Sequence, residues 1–323
     1  MKYCRKIYYV LKRVKSRFLS LNRFLNDFLF RSQPVGKLGA TLNIFDGEEL
    51  LLDLLVSIRK EVDFISIVFQ EVGHWGDLRA DPHLRGFLRS LKNLGMIDEI
   101  IDWTPENAAA NEYSFHAMDV EKRQAGLKLA KENGCTHFIV LDNDEFYTRK
   151  QFRYMKRIMM RSNSDWDYSV LRHLQYYKNT NMIKRKREEE YVMGIFRINQ
   201  STEFRYGAES KFPIDPARKI EGERVLEFSR FEVCMHHLSY VRKDIRTKLL
   251  ASQARSGNQE SLNQIISRYE SFRYPQSGIW AHGIEIDLKK IRPHIHLKYY
   301  EADAYSRYTN GEPLKKLLSE LGN

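Results

Sequence analysis

Three carboxylates, Asp142, Asp144 and Glu145, stand within four positions, directly after the apolar run Thr136-His137-Phe138-Ile139-Val140-Leu141. A short run rich in β-branched residues reads as a buried strand, so the acids fall at its end. Burying one unpaired carboxylate costs on the order of several kcal/mol. Three together therefore call for a divalent metal, strong basic neighbours or raised pKa values. Asp142-x-Asp144 at a strand end suits a nucleoside diphosphate, because a hard cation takes oxygens from carboxylates and phosphates together. The same cation would neutralise charge on a leaving phosphate.

The elements that must position these acids alternate along the chain. Gly39 to Phe45 reads as a strand, and Asp46-Gly47-Glu48-Glu49 leads from it into an apolar helix, Leu50 to Arg59. The acidic first turn suits the positive end of that helix. Phe64 to Phe69 is a second strand, Pro82 to Leu94 a helix, and Ile97 to Trp103 a third strand. A long helix over about Phe115 to Glu132 stops at Asn133-Gly134 and delivers the chain to the strand before the acids. This rhythm predicts an α/β fold with a mainly parallel sheet flanked by helices on both faces. Ligands of such sheets bind beyond the carboxyl ends of the strands, where Asp142 lies. Past Gln151 the spacing predicts a helix to about Arg161 and strands at Tyr168 to Leu174, Tyr191 to Ile198 and Glu232 to Leu238. The charge run Lys184 to Glu190 reads as a solvated loop or hairpin tip.

The net charge of +11 is uneven, since residues 1–31 carry nine Lys or Arg against one acid, Asp27, which accounts for +8. The remainder is too mildly basic for a nucleic-acid-binding face. Within 1–31 apolar residues such as Ile7, Val10, Leu11, Val14 and Phe18 recur three or four apart, with no run of about 18 apolar residues that could span a bilayer. Such a segment reads either as an amphipathic helix lying in an anionic membrane surface or as one packed on the body. The cysteines Cys4, Cys135 and Cys234 have no paired spacing, which fits a reducing compartment and a cytoplasmic location, with the inner face of a membrane as the peripheral alternative.

With these pieces in order, the chain resembles nucleotide-sugar-dependent glycosyltransferases of the GT-A fold, of family 2-like bacterial type. The resemblance rests on four ordered segments: Leu42-Asn43-Ile44-Phe45-Asp46-Gly47-Glu48-Glu49-Leu50, Lys122-Arg123-Gln124-Ala125-Gly126-Leu127, Leu141-Asp142-Asn143-Asp144-Glu145, and Met235-His236-His237-Leu238-Ser239-Tyr240-Val241-Arg242. It covers about Gly39 to Arg246. Two departures stand out: Gln124 replaces the usual Asn, and Phe69-Gln70-Glu71 lacks the common Asp-Asp pair that contacts the nucleoside.

The resemblance implies a Rossmann-like, mixed but mainly parallel sheet with helical N- and C-terminal additions. Residues 1–34 would be the basic segment, 35–246 the catalytic domain and 247–323 a helical or mixed extension. The nucleotide-sugar half would cover about 35–150 and the acceptor half about 151–246. Asp144 would bind Mn²⁺ or Mg²⁺, Asp142 would touch the metal or the ribose, and His237, rather than His236, would complete the metal shell, favouring manganese, or touch the diphosphate. Asn43, Asp46, Glu48, Arg123, Gln124 and Asp142 would hold the donor. Arg123 carries an argument of its own, because a guanidinium on the apolar stripe of Val120, Leu127 and Ala130 needs a phosphate or carboxylate partner. The implied reaction moves a sugar, with inversion, from a nucleoside-diphosphate sugar to a hydroxyl of a glycan or lipid-linked acceptor. Asp215 and Glu209 are the candidate bases. Tyr176, Tyr177, Trp166 and Trp280 are candidates for sugar stacking or for packing.

Competing readings are a nucleotidyltransferase of related fold and a peripheral membrane or polyanion-binding protein without catalysis. An aspartyl phosphatase is disfavoured, because Phe146 stands where its Thr would be and the acids follow at least three strands rather than the first alone.

Overall fold

The computed structural model describes residues 20, 21, 23, 25, 33–185, 191–252, 255, 259–280 and 284–322. Most of the expected amphipathic segment over residues 1–31 and of the charge run at 184–190 lies outside them.

The sheet begins as read from the sequence. β1 (Leu38–Ile44) and β2 (Phe64–Gln70) are buried on both faces, with α1 (Glu48–Ile58) between them. Then come α2 (Leu84–Asn93), β3 (Glu99–Trp103), α3 (Glu112–Glu132) and β4 (His137–Asp142). β1 lies between β2 and β4 and pairs with both in parallel, with Asn43 opposite Val68 on one side and Asp142 on the other. α3 starts before the expected Phe115 because Asn111 and Ser114 close a reciprocal cap. Its Gly126 lies so close to β1 that a Cβ would collide with Thr41.

Beyond β4 the sheet becomes mixed. A two-residue strand β5 (Glu145–Phe146) precedes α4 (Arg149–Met159), and β6 (Tyr168–Tyr177), β7 (Asn179–Lys184) and β8 (Tyr191–Arg197) follow. β8 runs antiparallel to both β4 and β6, extending the sheet away from β1. A short β9 (Val225–Glu227) and then β10 (Cys234–Tyr240) lie parallel to β6. β10 also pairs antiparallel with β5, which sets His237 opposite Glu145.

The chain then forms α5 (Ile245–Ala251), α6 (Gln259–Glu270), the hairpin β11 (Gly278–Ile279) and β12 (Glu285–Ile286), β13 (Leu288–Lys290), α7 (Lys298–Glu301), α8 (Ala304–Thr309) and α9 (Leu314–Leu321). This extension is built into the body. β13 pairs with β7 in the main sheet, and the Asp53 carboxylate on α1 accepts the Tyr299 and Tyr300 N–H groups at the start of α7.

Tyr176 and Tyr177 are fully buried in the core, so both are packing residues. Trp166 packs at the edge of the core, and Trp280 stacks on Tyr240 with ring centroids 3.9 Å apart. Of the basic N-terminal segment, Arg23 grips Glu232 through two bonds of 2.8 Å, and Ser20 donates to the same carboxylate at 2.9 Å. No helix among the described residues is long and apolar enough to cross a membrane.

Candidate functional site

β4 ends at Asp142 and turns through Asn143 and Asp144 into β5, so the acids project at the carboxyl ends of β1 and β4. Asn143 fixes this turn by donating from Nδ2 to the Asp46 carbonyl in the loop after β1. Gly47, in that loop, has φ 73°, and a side chain there would strike the Arg242 guanidinium. Glycine therefore meets two needs at once, a left-handed turn and close approach.

Each acid has a cationic partner within the chain. Arg218 donates to Asp142 at 2.5 Å and to Glu145 at 2.7 Å, and its Nε lies 3.5 Å from Asp215. It reaches them from the 3₁₀ turn Pro216–Arg218, which Asp215 caps by accepting the Ala217 N–H. Asp144 is 1 % exposed and holds Arg242 at 2.6 Å and Lys248 at 3.2 Å, both on Oδ2. Arg242 follows β10, and Lys248 lies on α5, whose start Asp244 caps. His237 places Nε2 3.6 Å from the other Asp144 oxygen. Arg123, buried on α3, reaches Asp215 at 3.2 Å.

The electrostatics follow from these contacts. Burial opposes ionisation of Asp144, but Lys248, Arg242 and His237 outweigh it and hold the carboxyl well below the usual range. Burial likewise opposes ionisation of Asp142, and Arg218 with Arg123 turns the balance so that its pKa is lowered. At Glu145 burial wins over Arg218 and raises the pKa. Burial pushes the His237 pKa down, while Asp144 pulls harder and leaves it raised. Of the three remedies for clustered acids, the structure thus shows basic neighbours for all and a raised pKa for Glu145.

Asn43 is at the site, with both polar atoms of its amide buried and without a hydrogen-bond partner. Asp46 and Glu48 follow it in the loop and first helical turn after β1, and burial, reinforced by Glu49, lifts the Glu48 pKa to about 7. Two expected site residues lie elsewhere. Gln124 accepts the Phe204 N–H at 3.0 Å, because its helical position turns it from Arg123 towards the segment after β8. Glu209 is exposed on the loop before the 3₁₀ turn, so of the two candidate bases Asp215 is the one in the cluster. His236 donates to or accepts from the Tyr176 hydroxyl at 2.8 Å on the buried side of β10, while the pleat turns His237 to the acids.

The metal set expected from sequence was Asp142, Asp144 and His237. A divalent cation needs oxygen or imidazole donors free to turn towards it. Asp144 Oδ1 is buried without a hydrogen-bond partner and faces His237 Nε2, which is half of such a set. Asp142, however, gives Oδ2 to Arg218, and Asp144 gives Oδ2 to Arg242 and Lys248. No group of three or more His, Cys, Asp or Glu among the described residues is placed to hold an ion. In this arrangement the donors fit a metal poorly, because cations of the chain take one oxygen of each aspartate.

Arg218 and Lys248 escape a reading of the sequence, since their partners lie 76 and 104 residues away. The one local signal was the i, i+3 spacing of Asp215 and Arg218. No family model and no curated protein matches the chain.

Proposed function

We propose that this chain is a glycosyltransferase of GT-A type that moves a sugar from a nucleoside-diphosphate donor to a hydroxyl of a glycan or lipid-linked acceptor. One observation carries the reading. At the carboxyl ends of adjacent parallel strands, Asn43 and Asp142 lie in register, with Asp144 in the turn that follows, and His237, Arg123 and Asp215 from three further segments gather around them. Buried polar atoms left without partners at Asn43, Asp144 and Arg123 call for a polar ligand there.

In this reading Asp215 takes the proton of the acceptor hydroxyl. The freed oxygen forms its bond to the anomeric carbon as the bond to the diphosphate oxygen breaks, and the electron pair leaves with the nucleoside diphosphate. Surrounding positive groups stabilise that leaving charge. A base in this role supplies about 10²–10⁴-fold in rate. Asp215→Asn should lower transfer by about that factor while leaving donor binding in place.

The deciding experiment is hydrolysis of a panel of nucleotide sugars by the full chain, with Asp144→Asn as control. Turnover of one donor, lost in the variant, is the expected result. No turnover of any donor, together with no thermal stabilisation by any nucleoside diphosphate, would refute the assignment.

A further inference from the structure

The polar atoms left without partners at this site are mostly donors. Arg123 Nε and Nη1, Arg242 Nε and Nη1, and Asn43 Nδ2 are all buried without an acceptor. Apart from His237 Nδ1, a donor or an acceptor by tautomer, two acceptors stand against these five, Asp144 Oδ1 and Asn43 Oδ1. A bound metal would serve the acceptors and leave the donors unsatisfied. A bound phosphate would serve the donors, which are the larger debt by count.

The charges agree with that count. Asp142, Asp144, Glu145 and Asp215 lie within direct ion-pair distance of Arg123, Arg218, Arg242 and Lys248, and Asp46 acts on Arg242 and Lys248 from further off. A divalent cation added here would stand close to four fixed cations, whose repulsion offsets part of what the carboxylates offer it. A diphosphate brings the opposite sign. The cations are also spread to meet an extended anion: Lys248 acts on Asp142 as well as Asp144, and Arg123 acts on Asp142 from the opposite element. Lys248 and His237 each keep about a quarter of the side chain exposed, which opens the cluster to a ligand.

We propose that Arg123, Arg242 and Lys248 hold the diphosphate of the donor without a divalent metal, the chain's own cations taking the place of the ion. This rests on the transferase reading above and narrows it. Arg242 is pinned between Asp144 and the Gly47 loop and acts as the fixed member. Lys248, on a flexible stem, is the one that can leave Asp144 Oδ2 for a phosphate oxygen.

Calorimetric titration of the full chain with UDP, GDP, CDP, dTDP, ADP and pyrophosphate tests this, each in EDTA and again with Mn²⁺ or Mg²⁺. The expected result is binding of at least one nucleoside diphosphate in EDTA, with Kd changed by less than about threefold when metal replaces the chelator. Lys248→Met should weaken the EDTA-state binding by about tenfold or more with an unchanged circular dichroism spectrum. Arg123→Lys, which keeps the charge, should lose less than Arg123→Met. Binding that appears only with metal would overturn the proposal and leave the transferase reading standing. No binding of any nucleoside diphosphate under either condition would overturn both, and binding in EDTA that Lys248→Met leaves untouched would overturn the assignment of the clamp.

Discussion

Arg218→Ala tests whether the acid cluster is held by the chain's own cations. The guanidinium is buried and contacts Asp142 at 2.5 Å, Glu145 at 2.7 Å and Asp215 at 3.5 Å. At an effective dielectric near 20, one unit pair at about 4 Å is worth roughly 4 kcal/mol before desolvation is charged against it. Removing one partner of a buried pair typically costs about 3–5 kcal/mol, because the charge left behind is uncompensated. Asp142 and Asp215 are each about a third exposed, so water replaces part of what they lose. Glu145 is 4 % exposed and has no such recourse. We therefore expect a loss of about 3 kcal/mol in urea unfolding at about pH 8.

The pH dependence carries the sharper test. Burial already raises the Glu145 pKa, and loss of Arg218 raises it further. A carboxyl whose folded pKa exceeds its unfolded value favours the fold when protonated, and that benefit is lost as pH rises through the folded pKa. The deficit of Arg218→Ala relative to the parent should therefore shrink as pH falls towards about 5. Glu145→Gln in the same background should recover much of it at high pH. A deficit below about 1 kcal/mol at pH 8, or one independent of pH, would show that the cluster is not held this way.

Three further outcomes are expected. The raised Glu48 pKa of about 7 means that ionisation penalises the fold as pH climbs from 4.5, so Glu48→Gln should stabilise by about 1–2 kcal/mol above pH 7 and by almost nothing near pH 4, measured by thermal melts across pH. Gly126→Ala should cost about 1–3 kcal/mol in urea unfolding, because the added methyl meets Thr41 on a β1 that cannot retreat between β2 and β4. Reversing Lys12, Lys15 and Arg17 to Glu should abolish sedimentation with phosphatidylglycerol vesicles; unchanged sedimentation would dismiss a membrane role for the N-terminal segment.

The order of elements from β1 to β4 was legible because each has a local cause. Buried parallel strands read as unbroken apolar runs, and Asn133-Gly134 stops α3, with Gly134 at φ 72°. Local causes also placed Asp142 at a strand end. The antiparallel turn of the sheet at β8, the two-residue β5 and the edge strand β13 were not legible, because long-range pairing rather than local pattern defines such short strands. The same limit hid the partners of the acids. Periodicity showed that Arg123 needs an anion, but not that Asp215, 92 residues away, is that anion.

The pairing of the acids has a consequence for binding. Four carboxylates and four cations pair with one another before any ligand arrives, so these acids have counter-charges within the chain. A diphosphate bound as proposed would draw cations partly away from carboxylates, and the contacts it broke would be subtracted from those it made. The subtraction is smallest where a cation has spare donors. Arg123 uses Nη2 on Asp215 and leaves Nε and Nη1 unsatisfied, so it can add a phosphate without releasing its acid. Lys248 holds Asp144 at 3.2 Å, while Arg242 holds the same oxygen at 2.6 Å. If Lys248 moves, Asp144 keeps its stronger partner. The arrangement thus joins a stable unliganded site to cations that remain available, which explains why an energetically costly cluster of acids ends in an excess of donors.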